Sequence, residues 1–208
     1  MNNPQPLVSI DVVPIRYNRE TRSIEIALGT RLYEPFEGVP ALPGVLLLQG
    51  ESIAQAAVRA LERKTGLPEY AEFTTRQVGA FDGTNRDPRG ATISIALIAV
   101  GDLKLQRGVW VNVADAHDLP FDHDAIIRGA VSRLAEMWWR DNELTQQLLG
   151  ATFTTADVLV LSALLSSHPA DPANIRRWLT NSALTVQQSG FAAPTGRGRP
   201  SAVWGWAV

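Results

Sequence analysis

Not one of the 208 residues is cysteine. That absence excludes a disulfide framework, a thiolate metal site and a nucleophilic thiol together, and it suits a reducing compartment such as the cytoplasm. Apolar runs long enough to cross a bilayer are also missing. The longest candidate, Thr92 to Val100, has the length of a strand, where a spanning helix needs about 20 residues. The opening residues Met1 to Pro6 lack a basic stretch feeding an apolar run, so no secretory leader and no membrane role are expected. Acid is missing too, but only locally. Beyond Asp171 the chain contains no Asp or Glu while keeping Arg176, Arg177, Arg197 and Arg199. The formal net charge of −2 conceals this segment, the electrostatic outlier of a chain that is otherwise ordinary, with 45% apolar and 19% charged residues.

The patterning divides into two kinds. Leu7 to Ile15 and Ser23 to Arg31 read as strands, and Glu34 to Gly44 as a loop broken by proline and glycine. Ser52 opens a helix: Gln55 three positions on completes a capping box, and Ile53, Ala56, Ala57, Ala60 and Leu61 keep the 3, 4 spacing of a buried stripe. Gly66 followed by Pro68 stops it. Strands return at Phe73 to Phe81, Ala91 to Val100 and Val109 to Val113, so residues 1–120 read as an α+β domain with a mixed sheet. From Asp122 the pattern turns helical, through Ile127, Ala130, Val131, Leu134 and Trp138. Thr154 or Thr155 caps a second helix, and Asp171-Pro172 starts a third. Two strands, joined by a turn over Ala193 to Ser201, complete the chain. Three helices followed by a hairpin is the order of a winged helix-turn-helix, assigned to residues 121–208.

In the third helix Ile175, Trp178 and Leu179 mark the inner face by their spacing. The outer face then carries Arg177 and Thr180, flanked by Asn174, Arg176 and Asn181. Those side chains suit base edges and phosphates in a major groove. Thr195, Arg197 and Arg199 fall in a glycine-rich turn that would let the backbone approach DNA while its arginines reach phosphate or the minor groove. His117, His123 and His168 show no metal-ligand spacing and read as exposed or capping residues.

The stretch Leu42-Pro43-Gly44 through Gly50-Glu51-Ser52 to Arg59-Ala60-Leu61-Glu62-Arg63-Lys64-Thr65-Gly66-Leu67 resembles the Nudix box. The resemblance implies that Ala60, Arg63 and Lys64 stand where active Nudix hydrolases place glutamates for magnesium, and that Val45 replaces the first motif glycine. Residues i, i+3 and i+4 share a helix face, so three carboxylates there would form a hard-oxygen platform, whereas a methyl and two cations would not. No metal, cofactor or catalytic residue is therefore expected. Glu51 and Glu62 read as structural, Glu62 being placed to pair with Arg59 three residues away.

Phe81 to Gly90, with its Arg86-Asp87-Pro88-Arg89-Gly90 core, resembles a loop of the Nudix-related transcriptional regulators of NAD metabolism, the NrtR type, and of related ADP-ribose pyrophosphatases. The Phe153-Thr154, Asn174-Ile175-Arg176-Arg177 and Gly198-Arg199-Pro200 segments extend that resemblance over most of the chain. It implies a cytoplasmic, dimeric repressor that binds double-stranded operator DNA and senses ADP-ribose or a related NAD-derived nucleotide. The implied effector site comprises Arg31, Arg63, Lys64, Arg86, Asp87 and Arg89, with Phe81 available for stacking. Guanidinium forks suit pyrophosphate oxygens. The residues also leave a second reading open: a nucleoside diphosphate hydrolase that uses Glu51 with Glu62, its C-terminal part serving dimerisation.

Overall fold

The computed structural model describes residues 5–83, 86–166, 171–191 and 201–207. Its elements are β1 (Leu7–Asn18), β2 (Ser23–Thr30), β3 (Pro40–Ala41), β4 (Gly44–Leu46), α1 (Ile53–Thr65), β5 (Phe73–Phe81), β6 (Thr92–Gly101) and β7 (Val109–Asn112). After a 3-10 turn come α2 (His123–Met137), α3 (Asn142–Leu149), β8 (Thr152–Thr154), α4 (Thr155–Leu165), α5 (Pro172–Asn181), β9 (Thr185–Phe191) and β10 (Ala202–Trp206).

The large sheet runs β3-β2-β1-β6-β5, with β4 paired to β1 and β7 paired to β2. β1 and β6 are parallel from Leu7↔Thr92 to Ile15↔Val100, whereas β5 and β2 run antiparallel to their neighbours, so the sheet is mixed as expected. Because successive strand residues face opposite sides, these two central strands bury both faces. Ile10, Val12, Leu97 and Ala99 meet Ala56, Ala57, Ala60 and Leu61 of α1. Val13, Ile15, Ile98 and Val100 meet Ile126, Ile127, Ala130 and Leu134 of α2 on the other side. A helix on each face seals the sheet.

Helix α1 forms as its sequence dictates. Ser52 accepts from the Gln55 amide at 3.2 Å, Gln55 returns the bond to the Ser52 amide at 2.9 Å, and Gly66 ends the helix at φ 65°. Downstream of residue 121 there are four helices among the described residues rather than three. The additional one, α3, is a short polar segment, NELTQQLL, whose buried stripe is confined to Leu144, Thr145, Leu148 and Leu149. Eight residues with so narrow a stripe give a weak periodic signal. Helix α2 covers the sheet, and α3, β8, α4, α5, β9 and β10 then follow in the element order of a winged helix. Their three strands form a separate antiparallel sheet ordered β8-β10-β9.

Thr154 caps α4 with a capping box to Asp157, and Asp171 caps α5 by accepting from the Asn174 amide at 2.8 Å. Trp204 is fully buried beside Phe153, Val158, Leu161 and Leu179, in the same cluster that lines the α2 face of the sheet. The two parts of the chain therefore share one continuous core through α2. Two arginines of the sheet region also reach across. Arg76 on β5 forks onto the α3 cap Asp141 at 2.6 and 3.1 Å and onto Glu143 at 2.9 Å. Arg19, after β1, donates to the carbonyls of Leu149 and Thr152 at the other end of α3. No helix of the described residues is long and apolar enough to cross a membrane.

Candidate functional site

A cavity of about 340 Å³ opens at the edge of the large sheet, between the exit of β2, strand β4, the C-terminal half of α1, the loop 86–89 and the N-terminus of α2. Six cations line it: Arg31, Arg59, Arg63, Lys64, Arg86 and Arg89. Of the residues expected at an effector site, Arg31, Arg63, Lys64, Arg86, Asp87 and Arg89 are thus gathered around one space. Phe81 is not. Its ring lies against Gly129 of α2, and it packs on the main core, because at the end of β5 it points to the α2 face of the sheet. The aromatic side chains that line the cavity are instead Phe121, with Phe36 edge-on at 5.1 Å, and Tyr33.

The cations divide by their partners. Arg59 forks onto Glu51, both bonds at 2.6 Å, and its Nη2 also donates to the Leu46 carbonyl at 2.8 Å. That guanidinium holds the Glu51 carboxyl down at about 2. Glu51, eight residues upstream, is therefore the partner of Arg59, and the expected pairing with Glu62 is not formed. A carboxylate of the loop just before the helix won over the neighbour three residues along.

Arg86, its side chain only 4% exposed, forks onto Asp122 at 2.9 and 2.7 Å and reaches Asp11 at 3.4 Å. Arg89 forks onto Asp87 at 2.9 and 2.7 Å, which holds the Asp87 carboxyl below its ordinary range.

Three cations remain without a carboxylate among the described residues: Arg31, Arg63 and Lys64. Arg31 is anchored by the carbonyls of Pro35 at 2.7 Å and Tyr33 at 3.1 Å, with its guanidinium 4.7 Å above the Phe121 ring. Burial, then Arg31 and Arg63, push the Lys64 ammonium below its usual range. Partly desolvated, mutually repelling cations in a cavity constitute an anion site, because an incoming anion relieves both costs.

Sequence reasoning missed the floor of the cavity. Asp11 is a buried acid within the apolar strand β1, accepting from Ser94 and, at 3.2 Å, from Ser9, and approached by Arg86. A carboxylate in the middle of an apolar run was the available signal, since burial of a charge demands a partner. Gly44 opposes it in the β1–β4 ladder, and a Cβ there would lie 2.1 Å from Asp11 Oδ1. Glycine is thus required at position 44 by close approach.

His123 corrects the reading of an exposed or capping histidine. It is buried, its Nδ1 accepts from the Leu42 amide at 3.1 Å, and its Nε2 lies 4.0 Å from Asp11 Oδ1. Burial pushes its pKa down, so the ring is neutral at pH 7. His117 is exposed and bonded to Asp118, and His168 lies outside the described residues.

The residues present do not fit a divalent cation. Among the described residues no group of three or more His, Asp or Glu side chains is disposed to hold one. The helix positions expected to form the platform are also split. Ala60 is fully buried against the sheet, and only Arg63 and Lys64 line the cavity.

At the far end of the molecule, α5 buries Leu179 and part of Ile175 and leaves Asn174, Arg176, Arg177, Thr180 and Asn181 exposed on the outer side. Neither arginine makes a salt bridge among the described residues. The Thr180 hydroxyl donates to the Arg176 carbonyl at 2.9 Å. Thr195, Arg197 and Arg199 lie outside the described residues.

No family model matches the chain. An ADP-ribose pyrophosphatase of Methanocaldococcus jannaschii is 32% identical over 131 residues, 59% of this chain and 72% of that protein. The ADPR-responsive transcriptional repressor NtrR of Acinetobacter baylyi is 26% identical over 99% of this chain and 84% of its own length. Among solved structures, Shewanella oneidensis NrtR in complex with a 27mer DNA superposes with a TM-score of 0.76 at 23% identity, covering 96% of this chain and 93% of that one, which establishes the shared fold. With the capped box helix, the mixed sheet between two helices and the second, three-stranded unit in the same order, the chain belongs to the Nudix family and has the whole-chain organisation of its NrtR-type members.

Proposed function

We propose that this chain is a DNA-binding transcriptional repressor whose Nudix domain has lost hydrolysis and senses ADP-ribose or a related NAD-derived nucleotide. It acts in the cytoplasm as a dimer, with effector binding in residues 1–120, closed at its edge by Phe121 and the first turn of α2, and DNA binding in the rest of residues 121–208. The observation that carries the reading is the cavity's surplus of positive charge. Arg31, Arg63 and Lys64 have no carboxylate partner among the described residues, and two of them occupy the helix positions where a hydrolase of this family needs acids. Such a pocket attracts a diphosphate directly and repels the metal that hydrolysis requires. The relative that responds to ADPR and the fold neighbour bound to DNA support the two halves of the proposal. By linkage, whatever factor the effector applies to DNA affinity, DNA applies to effector affinity.

Hydrolysis is a second reading because the 32% identical relative is an ADP-ribose pyrophosphatase. The two are separated by incubating purified protein with ADP-ribose and magnesium. We expect binding without turnover. An EDTA-sensitive rate of order 1 per second, ordinary for an enzyme, would defeat the repressor-only reading.

On the DNA side, Arg177→Ala is expected to leave folding intact, since the side chain is exposed and makes no salt bridge among the described residues, and to weaken operator binding by about 1 to 3 kcal/mol with relaxed preference at one base pair of each half-site. Gel-shift titration against DNA upstream of the protein's own gene, compared with random duplex, measures both. Equal binding of wild type to the two duplexes, with and without ADP-ribose, removes the DNA half of the proposal.

A further inference from the structure

We propose that α2 is a lever that transmits occupancy of the cavity to α5, with Trp139 as its joint; this rests on the reading of the cavity as an effector site and of α5 as the DNA-facing helix. The residues at its near end are consecutive. Phe121 carries the Arg31 guanidinium at 4.7 Å and that of Arg89 at 5.7 Å, Asp122 takes the fork of Arg86, and His123 accepts from the Leu42 amide. An anion drawn to these arginines therefore acts on the first turn of α2.

The helix is a single rod of 15 residues, about 22 Å long at 1.5 Å per residue. Near its middle, Gly129 lets the backbone approach β5 so closely that a Cβ would stand 3.2 Å from Val78 and 3.3 Å from Phe81. Glycine weakens a helix interior, so its presence where a Cβ would crowd Val78 and Phe81 supplies the fulcrum.

The far end is aromatic. Trp138 donates from Nε1 to Ser162 of α4 at 3.2 Å and lies 5.0 Å from Trp139, whose ring meets Trp178 of α5 edge-on at 4.3 Å. Two features distinguish this joint from ordinary core. Trp139 is held at φ 62°, as is Phe121 at the opposite end, a region that side chains other than glycine rarely occupy. Its indole Nε1 is also buried without a hydrogen-bond partner among the described residues. A strained backbone and an unsatisfied buried donor persist only where the surrounding structure imposes them, and both fall on this one residue. Helix α3 is meanwhile pinned to the sheet region at both ends by Arg76 and Arg19.

Hydrogen-exchange mass spectrometry of the full chain, with and without saturating ADP-ribose, tests the lever. In wild type, exchange is expected to change in peptides covering 31–48 and also across 172–181, the latter by roughly threefold or more. In Trp178→Ala, tolerable because that side chain is 39% exposed, the change at 31–48 persists and the change at 172–181 disappears. A wild-type response confined to the cavity, or an α5 response that survives Trp178→Ala, overturns the lever while leaving the effector site standing.

If ADP-ribose alters no peptide, the effector reading of the cavity fails, and a ligand-free comparison decides the lever. Asp122→Asn releases Arg86 from the first turn of α2. It is expected to alter exchange across 172–181 beyond any change in β6, and to lose that effect when combined with Trp178→Ala. An α5 that exchanges in Asp122→Asn as it does in wild type overturns the lever.

Discussion

Arg86→Ala is expected to lower the free energy of unfolding by about 3 to 5 kcal/mol, among the larger single-residue effects for this fold. The side chain is 4% exposed and lies between Asp122, at 2.9 and 2.7 Å, and Asp11, at 3.4 Å. Its guanidinium is charged at any accessible pH, held above even its high ordinary range: burial opposes the charge, and Asp122, then Asp11, outweigh it. Truncation leaves Asp11, on the central strand, and Asp122, at the first turn of α2, in a poorly solvated space without their shared cation. An orphaned buried charge costs far more than the net worth of the pair that held it. The tether between the loop 86–90 and α2 goes with it.

Urea unfolding followed by circular dichroism measures the loss, and Arg86→Lys should recover part of it by restoring charge without the fork. A loss under 1 kcal/mol would mean that the two carboxylates find other partners. Any fall in nucleotide affinity of Arg86→Ala must then be read against this structural role. The guanidinium is committed to protein carboxylates, and its loss disturbs the cavity wall whether or not it touches phosphate.

What the sequence makes legible is local. The capping box at Ser52 and Gln55, the glycine stop at Gly66, the caps at Thr154 and Asp171 and the alternation of β1 and β6 all depend on residues within a few positions of one another, and each is found in the fold. Of the cavity's cations, Arg63 and Lys64 were legible through the box frame and Arg31, Arg86 and Arg89 through the family resemblance, whereas Arg59 was not expected to line it.

What was not legible depends on sequence-distant partners. Glu51, not Glu62, takes Arg59 although it lies before the N-cap of α1, and spacing along the helix carries no information about a residue outside it. Asp11, Asp122 and His123 come together from β1 and α2, more than a hundred positions apart, and no periodicity links them to Arg86. Phe121, and not the expected Phe81, lines the cavity because an aromatic at a strand end reports only that it is apolar, not which side of the sheet its pleat selects. Ala60 belongs by spacing to the buried stripe and by motif frame to the metal-platform positions, and in the fold the stripe places it in the core with Ala56, Ala57 and Leu61.

Reversing the two uncompensated helix cations, Arg63→Glu with Lys64→Glu, is expected to weaken binding of ADP-ribose by about 3 to 6 kcal/mol, a factor of roughly a hundred to ten thousand, since each lost charge-assisted bond to phosphate is worth about 1.5 to 3 kcal/mol and repulsion adds to the loss. The same change is expected to raise thermal stability. Lys64 is held below its usual range by burial first and by Arg31 and Arg63 next, so the wild-type site carries desolvation and like-charge repulsion in the absence of an anion. Glutamate at 63 and 64 would face Arg31 with opposite charge and convert that repulsion to attraction.

Stability gained together with affinity lost is the signature of residues held at a cost for binding, and a merely solvated helix face would show neither change. Magnesium supplies the remaining comparison. The double variant restores two of the three acids, but Ala60 stays in the core, where a carboxylate would displace packing against the sheet. Hydrolysis is therefore not expected to return. Calorimetry with ADP-ribose and a thermal melt on the same preparations decide the matter. Unchanged affinity removes Arg63 and Lys64 from the anion site, and a lowered melting temperature shows that neighbouring groups already offset their charge.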